Sequence, residues 1–124
     1  MADEIALSVS LYFSDSGDSV DTSDMGLLGL ELDVTGRYFV KAQQSIGTTA
    51  ELLGKGEIGT AGYLVLKNLD NTNYVELDNA SFLIDAGPIR VKPGGVFIGQ
   101  IRGTTIYACA KTSACIVKYL LIED

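Results

Sequence analysis

The chain has 124 residues, of which 47% are hydrophobic, and a formal net charge of −7 without any histidine. This length and composition suit one folded unit with its own core, so we expect a single domain over residues 1–124. The negative charge disfavours nucleic acids and anionic lipids, which need a basic surface, and the nine basic residues are scattered along the sequence. No run reaches the roughly 18 apolar residues of a membrane-spanning helix, and the acidic start is unlike a secretory signal. We expect a product that stays in the cytosol or is assembled there into something larger, with no nucleic-acid or membrane partner.

The first third of the chain alternates between apolar and polar residues. Residues 4–14 place Ile5 through Phe13 on one face at a period of two, which predicts one half-buried strand. Residues 14–24 are polar and acidic and predict a solvated loop. Residues 26–34 and 37–43 alternate again around Thr35-Gly36, which predicts a hairpin.

The rest of the chain continues in short apolar runs separated by turn residues. A short strand is expected near residues 50–53, and a hairpin joins 63–68 to 74–77 across the Asp- and Asn-rich turn 69–73. The remaining predicted strands are 81–85, 89–92, 96–101, 105–110 and 114–122, the last two forming a closing hairpin. Only residues 48–54 could form a helical turn. Eight to ten short strands without a helix predict an all-β, antiparallel β-sandwich or jelly-roll-like domain.

The two cysteines, Cys109 and Cys115, flank the turn-like residues 111–113. A three-residue loop would pair them across a hairpin, whereas a two- or four-residue loop would leave them out of register. Free, partly buried thiols are the simpler expectation for a cytosolic protein. Two thiolates without histidine do not make a zinc site, so zinc is not expected. We expect no cofactor.

Catalytic residues are hard to place in this sequence. The most common general base is missing because the chain has no histidine. An acid pair of the glycosidase type could be drawn from several carboxylates, but exposed strand faces or turns explain each of them: Glu51, Glu57, Glu76, Asp78 and Asp85. We expect no enzymatic activity.

The acidic loop is a sharper candidate for binding. Asp15, Asp18, Asp21 and Asp24 recur every third residue. Calcium prefers such oxygen ligands, but the EF-hand pattern needs acids at every second residue and a closing Glu. A solvated loop, a calcium site and a docking loop for a partner all fit this stretch.

A second set of candidate interface residues surrounds the turn 69–73. Tyr12 lies on the polar face of the first predicted strand and Tyr74 follows the turn, and tyrosine is common at surfaces that are part apolar and part wet. Asp70, Asn71 and Asn73 would present polar groups beside Tyr74. We expect the other tyrosines considered to be core or corner residues: Tyr38, Tyr63, Tyr107 and Tyr119.

Stretches of the C-terminal half resemble a group of small virion proteins of tailed bacteriophages. Residues 59–77 read GTAGYLVLKNLDNTNYVEL, 89–96 read IRVKPGGV, 106–112 read IYACAKT and 117–123 read VKYLLIE. They are similar to phage proteins with "GYLxLKNLDxTNYVE" in the middle and an ending "EYLLIE". Lys118 stands where that ending has an acid, a departure that affects surface charge.

The resemblance implies a β-sandwich subunit of an assembled particle. We expect a capsid decoration or cement protein that forms a homo-oligomer on the phage major capsid protein and resides in the virion, assembled in the host cytoplasm. The alternatives are a neck or tail component, or a carbohydrate-binding module for host attachment, against which the lack of tryptophan counts.

Overall fold

The computed structural model describes residues 3–124, and the side chains of Asp3, Glu4 and Asp15 lie outside that description. Strands make up 51% of the chain, and the described residues contain no helix, which confirms the predicted all-β class. Residues 3–124 form twelve strands: β1 (Asp3–Leu7), β2 (Tyr12–Asp15), β3 (Asp18–Asp21), β4 (Leu30–Val34), β5 (Phe39–Ile46), β6 (Glu51–Leu52), β7 (Ala61–Asn68), β8 (Val75–Asp78), β9 (Ile89–Val91), β10 (Val96–Gly103), β11 (Tyr107–Ala110) and β12 (Cys115–Glu123).

By its internal contacts the chain divides into two compact units, an N-terminal unit (Met1–Thr35) and a C-terminal unit (Gly36–Asp124). The expectation of one domain over residues 1–124 stays a prediction.

The C-terminal unit consists of two four-stranded antiparallel sheets. Sheet I has the order β10-β7-β12-β5 and sheet II the order β6-β11-β8-β9. The strands pair as in one long hairpin whose turn is the β8–β9 connection: β8 with β9, β7 with β10, β6 with β11 and β5 with β12. This hairpin is wrapped so that its successive strand pairs alternate between the two sheets. This is the strand order of an eight-stranded jelly roll, as predicted for this chain.

The core of the C-terminal unit lies between the two sheets. Strand β12 alternates strictly and buries Cys115, Val117, Tyr119 and Leu121, since successive side chains of a strand point to opposite faces. Leu64 and Leu66 of β7 lie beside them in the same sheet. Strands β8 and β11 of sheet II contribute the facing layer: Val75, Leu77, Ala108 and Ala110. The alternation seen in the sequence therefore distinguishes the buried face of each strand from its outer face.

The three predicted hairpins are wrong, although most of their strands exist. The β4–β5, β7–β8 and β11–β12 connections join strands of different sheets, so none of these pairs is hydrogen-bonded. Alternation shows which face of a strand is buried but not which strand pairs with it. In a jelly roll the pairing is with segments far apart in sequence.

Asn68 is fully buried where the chain crosses from sheet I to sheet II. Its Nδ2 donates to the carbonyls of Asn73 (2.9 Å) and Val91 (3.2 Å), and its Oδ1 accepts from the Asp70 amide at 3.0 Å. The amide thus holds the β7–β8 crossing against β9, and all its hydrogen-bonding groups are used.

The N-terminal unit differs from its prediction in two places. The strand expected over residues 4–14 is interrupted, because Leu11 donates its amide to Thr22 Oγ1 and Val9 donates to the carbonyl of Leu27 instead of continuing one ladder. The acidic stretch is not simply a loop, since β2 and β3 form a hairpin around Ser16 and Gly17. Both turn residues have positive φ, 43° and 97°, as in the tight turns that suit twisted hairpins.

Two further predicted strands need correction. Residues 81–85 form no strand but a connection that ends in Asp85, whose φ of 72° is left-handed. The strand expected over 26–34 is shorter. Gly26 and Gly29 have positive φ, so the hydrogen-bonded pairing of β4 with β1 begins only at Leu30.

Candidate interaction surfaces

The acidic residues predicted as an interface lie on the β2–β3 hairpin and just after it. Asp18 and Asp21 are exposed on β3, and Asp24 is exposed in the turn that follows, while the side chain of Asp15 is outside the described residues. Asp21 Oδ1 accepts from the amide (3.0 Å) and hydroxyl (2.6 Å) of Ser23, and these bonds lower the pKa of the Asp21 carboxyl. The described residues contain no group of three carboxylates or thiols that could hold a metal ion.

The same N-terminal unit exposes an unusual set of large apolar side chains. Six of them are between 56% and 72% exposed: Leu11, Tyr12, Phe13, Val20, Met25 and Leu28. Of the described side chains in this unit, only Val34 is buried. A pair of two-stranded ladders without a core is marginally stable in water, so this unit has more to gain than the jelly roll from burial against another surface.

Charge is divided unequally between the two units. Residues 1–35 contain eight of the sixteen acidic side chains and none of the nine basic ones. The formal charge of this segment is therefore −8, whereas residues 36–124 carry +1. The net charge of the whole chain originates in its first 35 residues.

The outer face of sheet I has the opposite character. Strand pairing aligns Lys118 of β12 with Lys67 of β7 and with Gln43 of β5, and aligns Leu120 with Lys41 and Val65. We call this outer face the lysine face; it consists of Phe39, Lys41, Gln43, Ser45, Tyr63, Val65, Lys67, Val96, Ile98, Gln100, Ile116, Lys118, Leu120 and Ile122. It contains no Asp or Glu.

Apolar residues on the lysine face are also exposed. Phe39, Ile116, Val96 and Ile98 all stand on it with large accessible fractions. Lys67 Nζ donates to the carbonyl of Gly94 at 2.9 Å, but within the described part of the chain none of the three lysines forms an ion pair. Basic residues that are scattered in the sequence thus meet on one mixed apolar and cationic surface.

The turn predicted as a second interface is largely occupied with its own structure. Asp70 Oδ2 accepts from the amides of Thr72 (2.9 Å) and Asn73 (2.6 Å), and these bonds lower the pKa of the Asp70 carboxyl. Asn73 Nδ2 donates to Ser113 Oγ at 2.9 Å. Asn71 remains exposed, so it is the member of this set whose side chain projects into solvent.

Tyr74 belongs to a cluster of charged groups that the sequence did not reveal. Its hydroxyl donates to Asp85 Oδ1, and its ring lies 4.1 Å from the guanidinium carbon of Arg90. Asp85 also pairs with Arg90 (3.2 Å) and Lys111 (2.7 Å). Buried Glu76 accepts from Arg90 Nε at 2.8 Å and from the amides of Asp85 and Gly87.

These contacts determine what the cluster can do chemically. The Lys111 ammonium and then the Tyr74 hydroxyl lower the pKa of Asp85, and the hydrogen bond to Asp85 raises the pKa of Tyr74. Glu76 accepts from Arg90 and from two backbone amides, and the Asp85 carboxylate is bound by Arg90, Lys111 and the Tyr74 hydroxyl. These bonds hold the 79–88 connection on sheet II. The five residues come from four separate stretches of chain, so no local motif could have indicated the cluster.

The two cysteines are free and buried. They lie in different sheets, with Cys109 opposite Glu76 and Cys115 opposite Ile46, so the hairpin that could have paired them does not form. Burial raises the pKa of both thiols, and the Cys109 thiol donates to the carbonyl of Thr48 at 3.2 Å.

One cavity of about 250 Å³ opens between the sheets. Its lining is mostly aliphatic, with Leu64, Leu77 and Ile101 beside Asp78 and Arg102. No aromatic ring lines it, whereas sugar sites rely on stacked rings, and it is smaller than most ligand pockets.

Comparison of the chain with protein-family models, with curated proteins and with solved structures found no match. Among residues 3–124 no helix is long and apolar enough to cross a membrane.

Proposed function

We propose that this chain is a non-enzymatic structural subunit of a phage particle, and specifically a decoration or cement protein of the capsid. One observation carries the proposal: a jelly roll with a complete core is joined to a unit that has strands but exposes its large apolar side chains. A unit of this kind gains its buried area by packing against a neighbour, as the subunits of an assembly do.

Two further features support the proposal. Jelly rolls recur in viral shells, although a fold alone does not determine a function. The C-terminal half resembles small virion proteins of tailed phages, and its GYLVLKN segment forms most of β7 at the centre of the jelly roll. The partners would be the major capsid protein and further copies of this chain, without a cofactor.

The test is sedimentation with shells assembled from the major capsid protein. We expect the wild-type protein to pellet with shells, and a variant with Phe13→Ser and Leu28→Ser to stay in the supernatant. Leu83→Ser is the control, because Leu83 is more exposed than Phe13 and Leu28 but lies in the C-terminal unit, and it should pellet like the wild type. Wild-type protein that pellets with isolated necks or tails and not with shells would assign it there instead, and protein that pellets with none of them would contradict the proposal.

A further inference from the structure

We propose that the lysine face is the docking surface for the N-terminal unit of a second copy of this chain, so that copies associate by exchanging their acidic first 35 residues. This inference deepens the oligomer included in the proposed function, but it concerns contacts between copies alone. It can therefore be tested without any capsid.

Charge complementarity identifies the partner surface. The N-terminal unit carries a formal charge of −8, and the lysine face presents three ammonium groups with no carboxylate among them. Opposite potentials steer association and fix its register. Residues 36–124 have a formal charge of +1, so the remainder of the chain has no such excess of acid.

The apolar side chains match as well. Leu11, Phe13 and Leu28 of the N-terminal unit, and Phe39 and Ile116 of the lysine face, are all exposed within a single copy. A partner that covers either surface must offer both apolar groups and the opposite charge. A second copy offers each of them.

The size of the face indicates how many contacts each copy makes. Four strands at about 4.8 Å spacing and about 25 Å in length present roughly 500 Å². A stable interface buries about 800 Å² on each partner. One exchanged unit falls short of this area, so we infer that two copies exchange their N-terminal units reciprocally, in a closed dimer that contains both contacts.

Cross-linking between differently substituted copies tests this arrangement. Tyr12→Cys places a thiol on the N-terminal unit and Ile116→Cys places one on the lysine face, while the native thiols are buried. When the two variants are mixed with a short bis-maleimide, we expect mixed dimers at twice 13.2 kDa. The control is Tyr12→Cys mixed with Leu83→Cys, and this mixture should give few cross-linked dimers.

Charge reversal provides an independent readout. Lys41→Glu with Lys118→Glu should reduce the mass in solution to that of a monomer, whereas Lys92→Glu with Arg102→Glu, an equal charge change away from the face, should not. Adding Asp18→Lys and Asp21→Lys to the first variant should restore association. The inference is overturned if the mixed dimers do not exceed the control, or if the two charge-reversed variants have the same mass.

Discussion

Lys118 of β12 lies directly opposite Lys67 of β7 in the antiparallel register of sheet I. Side chains in such positions are about 5 Å apart at Cβ, and like charges there destabilise the sheet. The other cross-strand neighbour of Lys118 is Gln43, which carries no charge. The folded subunit thus keeps a repulsive pair at the centre of an outer face, which is understandable if a partner's acidic groups cover it.

Lys118→Glu should therefore separate the stability of the subunit from its assembly. The new carboxylate would face Lys67, and we expect the free energy of unfolding to rise by about 0.2–1 kcal/mol. The same substitution puts a negative charge in the path of the acidic N-terminal unit, so self-association should weaken. Chemical denaturation and light scattering on the same samples measure the two effects.

Lys92→Glu is the control for this pair of measurements, since Lys92 is exposed beyond β9 and off the lysine face. This substitution should change neither the free energy of unfolding nor the self-association appreciably. A Lys118→Glu protein that is less stable than the wild type, or that associates as strongly, would show that the lysine pair has another role.

Asn68→Asp should destabilise the jelly roll. The amide donates to the carbonyls of Asn73 and Val91, and an acid in its place would set an oxygen against both. Buried groups left without partners cost about 1–3 kcal/mol, and charged ones more. Urea unfolding should show a loss of this size, whereas Asn71→Asp at an exposed site should stay within about 0.5 kcal/mol of the wild type. Equal losses for the two would contradict the assigned role of Asn68.

Gly36→Ala should also destabilise the C-terminal unit, for steric reasons. A Cβ at Gly36 would lie 2.6 Å from the carbonyl oxygen of Glu123, which belongs to the backbone and cannot easily move. We expect a loss of about 1–3 kcal/mol by thermal or urea unfolding. Gly59→Ala is the control, because its Cβ would lie 3.6 Å from the nearest atom, Glu123 Oε2. If both alanines are tolerated alike, the chain is not closely packed at Gly36.

The Asp85 cluster should make stability depend on pH in the acid range. Lys111 and Tyr74 hold the pKa of Asp85 below its ordinary value of 3.8, so the folded state favours the ionised form. That contribution is complete above the ordinary value and is lost as the pH falls through the lower, folded-state pKa. Asp85→Asn removes it, while Asn still tolerates the positive φ of this position.

We therefore expect the Asp85→Asn protein to be less stable than the wild type at pH 6, with a difference that narrows toward pH 2. Part of the acid dependence should persist in the variant, because amides of Gly59 and Arg37 also lower the pKa of Glu123. Urea unfolding at a series of pH values measures the difference. A constant gap across the range would mean that Asp85 acts through packing and not through its charge.

The sequence predicted the class of fold and the buried face of most strands, because alternation directly reflects which side chains leave water. Strand β12 follows that alternation along its length. Partners could not be predicted in the same way, since the jelly roll pairs β5 with β12 and β7 with β10 over long stretches of chain.

The candidate surfaces could also be predicted only where their residues are close together in the sequence. The acidic hairpin is visible as a local run of aspartates, but the alternation of residues 4–14 predicts a buried face for Phe13, which is exposed. Lys41, Lys67 and Lys118 become neighbours only through strand pairing, and Asp85 meets Lys111 only after the 79–88 connection folds over sheet II.

The most direct measurement is the solution mass of the purified wild-type protein, by size-exclusion chromatography with light scattering over a range of concentrations, with and without calcium. We expect a closed oligomer at a whole multiple of 13.2 kDa, with the same mass in both conditions. A particle of 13.2 kDa at every concentration would contradict the proposal that this chain assembles through its N-terminal unit.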